Sequence, residues 1–256
     1  PESVSVPEAD AVAVIDTSTR RLRGLVKFET GSRPMRLVRG DNAARVWVGL
    51  DGRGDVALID TAALTEAGRV AVGEPGVLHL AASSDAPLLG VTSAQDNQAV
   101  IVDRHARRVV ARAKVDAQSA ALAWSRAARA FVVASATGSL ALFDDKGAPG
   151  ARVALEAGAP TLALLDGGRL ALVANANAST VSLIDLATGR MQASAPVAAQ
   201  PDQIVLTADY AYVRSVGEAA ATNRMPTRPA RIASRQEIQR RGRVSTMAAA
   251  SRNTSA

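Results

Sequence analysis

Short apolar runs of four to six residues, each cut off by Gly, Pro, Asn or Asp, recur along the chain to about residue 215. No i, i+3, i+4, i+7 stripe persists for ten residues without a turn signal. The pattern therefore predicts strands, despite the many alanines. "TLALLDGGRLALVANA" is the clearest example: two apolar runs flank Asp166-Gly167-Gly168, a hairpin signature.

The runs repeat. "AVIDTSTRR", "ALIDTAALT", "VIVDRHARR", "ALFDDKGAP" and "SLIDLATGR" place Asp16, Asp60, Asp103, Asp144 and Asp185 after similar apolar stretches, at spacings of 44, 43, 41 and 41 residues. Trp47, Gly90, Phe131 and Leu172 each stand 13 residues before one of the later aspartates, and Tyr212 continues that series. Such a period marks a repeat architecture. In the unit of Asp144 the four strands are predicted at about 119–124, 130–134, 139–143 and 151–155. Four short strands per unit is the size of a propeller blade, so the fold class is all-β: a β-propeller of four-stranded blades with about five blade units present.

Each repeated aspartate falls at the turn between a third and a fourth strand. There a carboxylate accepts hydrogen bonds from backbone N–H groups one or two residues on. A demand that recurs five times is a demand of the scaffold, so Asp185 and its equivalents are read as structural rather than catalytic.

Leading strands are predicted near 34–39, 77–82, 119–124, 160–165 and 202–206, and the chain enters within the second strand of a unit, at "SVSV". A closed ring would pair residues 202–206 with residues 3–6. Strand 210–214 would then be surplus, so an open arc with unpaired edges is expected. Met225 stands where the next turn aspartate is due, preceded by "ATNR", and no third strand is expected there.

Residues 173–206, "VANANASTVSLIDLATGRMQASAPVAAQPDQIVL", resemble the YVTN repeat of YncE-like β-propellers: V-A-N, a polar loop, T-V-S-V-I-D, T-A-T, a strand and a Pro-led strand. "LAWSRAARAFVVASATGSLALFD" is similar in another register. The likeness covers about residues 1–215 and departs at "DAPLLGVTSAQDNQAVIVD" and "FDDKGAPG". It implies a propeller, often seven-bladed and exported, so the chain is expected to be an incomplete copy of a larger one, periplasmic or secreted. The related heme d1 and lactonase propellers leave function open.

Composition changes the picture in one place. The formal charge is +6, yet residues 221–256 hold eight arginines and one glutamate, so the repeats are close to neutral. The chain divides into propeller repeats at 1–217 and a basic tail at 218–256. A segment this poor in large apolar residues is expected to be disordered. Read otherwise, it is an arginine-rich arm for a polyanion, or a stretch out of frame with the repeats; the break in mid-blade favours the last. It has no aromatics for base stacking, which disfavours nucleic acid. With no cysteine, disulfides, thiolate metal sites and cysteine nucleophiles are excluded. No apolar stretch reaches the length of a membrane span.

Candidate chemistry is sparse. His79 lies on a leading strand, the kind that lines a propeller's central channel; it is read as one polar residue on a packed or channel-facing strand, with no second His or acidic cluster to complete a metal site. His105 falls in a turn. Asp51 and Asp55 of "DGRGD" are read as hairpin residues, short of a calcium loop. Asn177 lies in a glycosylation sequon. The loops from a fourth strand to the next first strand, at the channel mouth, carry Glu29, Arg33, Glu74, Asp116, Gln118, Glu156, Gln200 and Asp202. No catalytic residue, metal or cofactor is expected. The function expected is a non-catalytic binding or scaffold propeller of the bacterial cell envelope, taking an unknown protein or small-molecule ligand at the propeller face. The alternatives are a lactonase or heme d1 type enzyme using the central channel, and polyanion binding through the tail.

Overall fold

The structure is a computed structural model that describes residues 2–158, 160–217 and 221–226. Strands β1 (Glu2–Val6), β2 (Ala11–Asp16) and β3 (Arg21–Lys27) form a three-stranded antiparallel sheet. Four four-stranded sheets follow. They are β4 (Pro34–Arg39), β5 (Arg45–Leu50), β6 (Asp55–Asp60) and β7 (Thr65–Ala71); β8 (Leu78–Ala82), β9 (Leu88–Ser93), β10 (Gln98–Asp103) and β11 (Arg108–Lys114); β12 (Ser119–Ser125), β13 (Ala130–Ser135), β14 (Ser139–Asp144) and β15 (Pro149–Ala154); and β16 (Pro160–Leu165), β17 (Leu170–Asn175), β18 (Thr180–Asp185) and β19 (Arg190–Pro196). A three-stranded sheet of β20 (Pro201–Leu206), β21 (Tyr210–Ser215) and β22 (Ala221–Pro226) completes the described chain.

These sheets are blades 1 to 6 of an all-β propeller. The first strands β4, β8, β12, β16 and β20 lie against one another in series and are therefore innermost. Blade 1 begins at its second strand, as "SVSV" implied, because β2 ends in Asp16 just as the third strand β6 ends in Asp60, which puts β1 in the place of β5.

Middle strands are buried on both faces, which is why they read as continuous apolar runs rather than alternations. Every residue of β13 and β17 is buried, while outer strands such as β11 alternate. The core lies between blades: Trp47, Val56 and Leu58 of blade 2 meet Leu78, Leu89 and Val91 of blade 3. Polar clamps join the same layers. Arg107 donates to the Ala67 carbonyl at 2.7 Å, Arg112 to the Val72 carbonyl at 3.3 Å, and Ser125 Oγ to the Gly168 carbonyl at 2.6 Å.

Three expectations change. Six sheets are present where five aspartates suggested about five units, because blade 6 carries Pro226 opposite Tyr210, where blade 5 carries Asp185 opposite Leu170. Residues 221–226 do form a third strand, in register with β21 from Tyr210↔Pro226 to Ser215↔Ala221. A strand ladder is made by backbone groups, so "ATNR" can pair without an apolar pattern, and Met225 packs against the core of blades 5 and 6. Finally, Phe131 is out of step with Trp47, Gly90 and Leu172. The hairpin after β13 is one residue shorter than the one after β17, so Val132 takes the equivalent place and Phe131 faces the preceding blade.

The open arc agrees with the sheet pairing. Among the described residues β1 pairs only with β2, and β20 only with β21. The arginine-rich stretch from residue 227 onward lies outside the described residues.

Candidate functional site

On one rim, all five repeated aspartates do the same work. Oδ1 of Asp16 accepts the N–H groups of Ser18 and Thr19, Asp60 those of Ala62 and Ala63, and Asp103 those of His105 and Ala106. Asp144 accepts Lys146 and Ala148, and Asp185 accepts Ala187 and Thr188, all at 2.8–3.2 Å. The Ser18 hydroxyl holds Asp16 below the ordinary carboxylate range, the Ala63 N–H does so for Asp60, and the Thr188 N–H for Asp185. The third-to-fourth-strand ladder of every blade from 1 to 5 also shifts register just before its aspartate, a repeated bulge.

The opposite rim gathers the loops between blades, and here polar side chains pin backbone. Ser135 Oγ donates to the Ala117 carbonyl, Asn175 Nδ2 to Glu156 and Ser215 Oγ to Ala198. Asp10 accepts the N–H groups of Gly31 and Arg33, with the Arg33 N–H foremost in depressing its pKa. Asp51 is no ordinary hairpin residue. Only 6% exposed, it accepts the Leu78 N–H of the next blade at 3.2 Å, and burial raises its pKa. Asp55 pairs with Arg69 at 3.5 Å.

The rim residues named from topology do not converge on a common centre. Glu29 pairs with Arg53 at 2.9 Å. Asp116 is engaged by Ser139 and Arg152, and Asp202 by Arg214; both carboxyls are held low chiefly by those partners. Glu74, Glu156, Gln118 and Gln200 are exposed, as is Asn177 of the sequon. His105 is exposed and 3.6 Å from Asp41. Among the described residues no three His, Asp or Glu side chains form a metal-binding group, and no helix is long and apolar enough to cross a membrane.

Beside His79, polar groups the sequence did not single out appear on the innermost strands, one step in from this rim. Strand register defines a tier. His79 lies opposite Thr92, Thr161 opposite Ala174, and Gln203 opposite Arg214, each at the second rung of its blade. In blade 2 the register slips between Pro34 and Leu37, so Met35 and Arg36 share the place opposite Gly49. β12 and β20 slip at the same rung. Arg33, Gln118 and Gln200, immediately before these three slipped strands, take left-handed backbone at φ 48°, 56° and 55°. Such strained, bulged positions re-aim side chains.

His79 is half-buried. Burial first, and then the charge of Arg36, push its pKa down to about 4, while the Ser119 backbone makes an opposing hydrogen bond. The ring is thus neutral at pH 7. Arg36 and Arg33 have no ion-pair partner among the described residues. Thr92 Oγ1, opposite His79 and 1% exposed, and Thr161 Oγ1 have no hydrogen-bond partner.

This arrangement defines the class of protein as far as fold: a β-propeller with a polar tier at one mouth of its channel. Solved structures agree. The propeller is similar to dihydro-heme d1 dehydrogenase NirN in complex with DHE, with a TM-score of 0.71 at 17% identity, over 88% of this chain and 52% of that one. It is also similar to Kuenenia stuttgartiensis hydrazine synthase, with a TM-score of 0.62 at 14% identity, over 78% of this chain and 68% of that one. The chain thus spans about half the length of the NirN chain. No family model and no curated protein matches the sequence. At these identities the likeness establishes the fold alone.

Proposed function

We propose that the chain is a YVTN-type binding propeller of the bacterial cell envelope that acts without catalysis. It takes its ligand at the channel mouth bounded by the loops between blades. The observation that carries this reading is the division of labour among polar groups. The repeated aspartates, together with Asp10, Asp51 and Asp116, hold backbone or neighbouring side chains in place. Arg36 and His79, on the innermost strands β4 and β8, pair a cation with a neutral imidazole. A general base or a metal-binding histidine is ordinarily supported by a carboxylate, and His79 has a cation beside it instead. Envelope location rests on the YVTN resemblance at residues 173–206.

Spectrophotometric titration with heme tests this reading against a redox role. The binding-scaffold reading expects no Soret shift that depends on His79. A Soret band that saturates at one equivalent and disappears in His79→Ala would overturn it in favour of a channel-bound redox cofactor.

A further inference from the structure

We propose that the channel tier around Arg36 and His79 is a site for a small hydroxycarboxylate, the carboxylate held by Arg36 and the hydroxyl by His79. The inference deepens the binding reading above and rests on it.

Charge comes first. Arg36 is exposed on the innermost strand of blade 2 and has no ion-pair partner among the described residues. The nearby carboxylate, Asp51, is buried and occupied by the Leu78 N–H, and it is influenced by Arg33 as well as Arg36. Arg33 and Arg36 against the one engaged carboxylate Asp51 leave local positive charge on blade 2, while the loops of the same rim also carry Asp10, Glu74 and Glu156. The carboxylate of blade 6 at this level, Asp202, is neutralised by Arg214. A planar guanidinium free of competitors is suited to a carboxylate, which it can hold bidentately.

Hydrogen bonding comes second. The Ser119 hydrogen bond favours the charged ring, so His79 is the donor and the Ser119 carbonyl the acceptor. In the neutral ring the other nitrogen is then an acceptor. A simple carboxylate would meet this lone pair unfavourably, whereas a hydroxyl on the same ligand can donate to it. Thr92 Oγ1, buried opposite His79, and Thr161 Oγ1, on the same tier, are two of the five buried side-chain polar atoms without partners among the described residues. Buried hydroxyls are rarely left unpaired.

Backbone geometry comes third. The register slip opposite Gly49 places two residues, Met35 and Arg36, on one rung. The left-handed residue Arg33 immediately precedes this strand. A bulge of this kind turns a side chain away from the ladder direction, here at the rung that bears His79 in the next blade.

The test is a thermal-shift titration of the full chain with citrate, tricarballylate (the same three carboxylates without the hydroxyl) and inorganic phosphate at constant ionic strength. Wild-type protein is expected to show a saturable rise in Tm with citrate, at several-fold lower concentration than with tricarballylate. Arg36→Gln should weaken citrate at least tenfold, Arg36→Lys should restore part of it, and Arg39→Gln should leave it unchanged. An equal citrate response in wild type and Arg36→Gln would overturn the proposal and place anions elsewhere, for instance on the arginine-rich residues 221–256. No saturable response would overturn it as well, without touching the heme result that tests the binding reading. Phosphate matching citrate would replace hydroxycarboxylate recognition by general anion binding.

Discussion

The ring of Phe131 fills the space that a Cβ on Gly90 would need. Cδ1 and Cε1 of the ring both lie 2.6 Å from that position, across the seam between blades 3 and 4. Phe131 is fully buried and held by Trp124, edge-on at 4.7 Å, and by Phe143, stacked at 5.4 Å. The ring cannot step aside cheaply.

Gly90→Ala should therefore destabilise the protein by about 1–3 kcal/mol through overpacking, and Phe131→Leu in the same chain should recover part of the loss. Urea denaturation of the two single variants and the double variant measures this. A Gly90→Ala loss below about 0.5 kcal/mol would show that the seam is loose.

Asp185→Ala should lower the urea midpoint, because the N–H groups of Ala187 and Thr188 lose their acceptor. Asp185→Asn, whose amide oxygen can still accept, should lower it less. Equal losses for Ala and Asn would mean that charge, rather than turn geometry, matters at this position.

Stability should fall on acidification in two stages. The folded pKa of His79 lies below its unfolded value, 6.5 against about 4, so the unfolded chain binds the proton first. Its contribution is full above about pH 6.5, declines as pH falls towards 4, and amounts to about 3 kcal/mol over that window. Asp10, Asp16, Asp60 and Asp185 are depressed, so their stabilisation is present above the unfolded value of 3.8 and is lost as pH falls through their lower folded values. Asp51, raised by burial, works in the opposite direction. Melting temperatures of wild type and His79→Gln between pH 7 and 4.5 separate the first stage. If the two profiles run parallel, His79 is not the group that titrates.

A chain ending at residue 217 should be less stable than one ending at residue 226, since only the longer one keeps β22 and the contact of Met225 with the blade 5 and 6 core. Equal melting temperatures would remove β22 from the fold.

Much of this architecture is legible in the sequence, because the repeated apolar runs and turn aspartates report local demands made once per blade. The hairpin at Asp166–Gly168, with left-handed φ values of 52°, 63° and 93°, is an example. What was not legible depends on partners distant in sequence. A fixed offset from the aspartate misplaced Phe131 because one hairpin is a residue shorter. β22 has no apolar alternation to announce it. Asp51 looks like a turn residue until the Leu78 N–H of the next blade is brought to it. At the channel, His79 was visible as an oddity on its strand. Arg36 and Thr92 become its neighbours only through strand register and the packing of blade on blade.

The most direct test of the account is hydrogen–deuterium exchange at dilute protein concentration across the second strands of the blades. An open arc leaves one edge of β1 without a hydrogen-bonded neighbour, whereas β5, β9, β13 and β17 each lie between two strands. Alternate amides within residues 2–6 should then exchange orders of magnitude faster than those of β9, β13 and β17. Protection of β1 equal to that of the other second strands would contradict the open arc and require an innermost strand in blade 1.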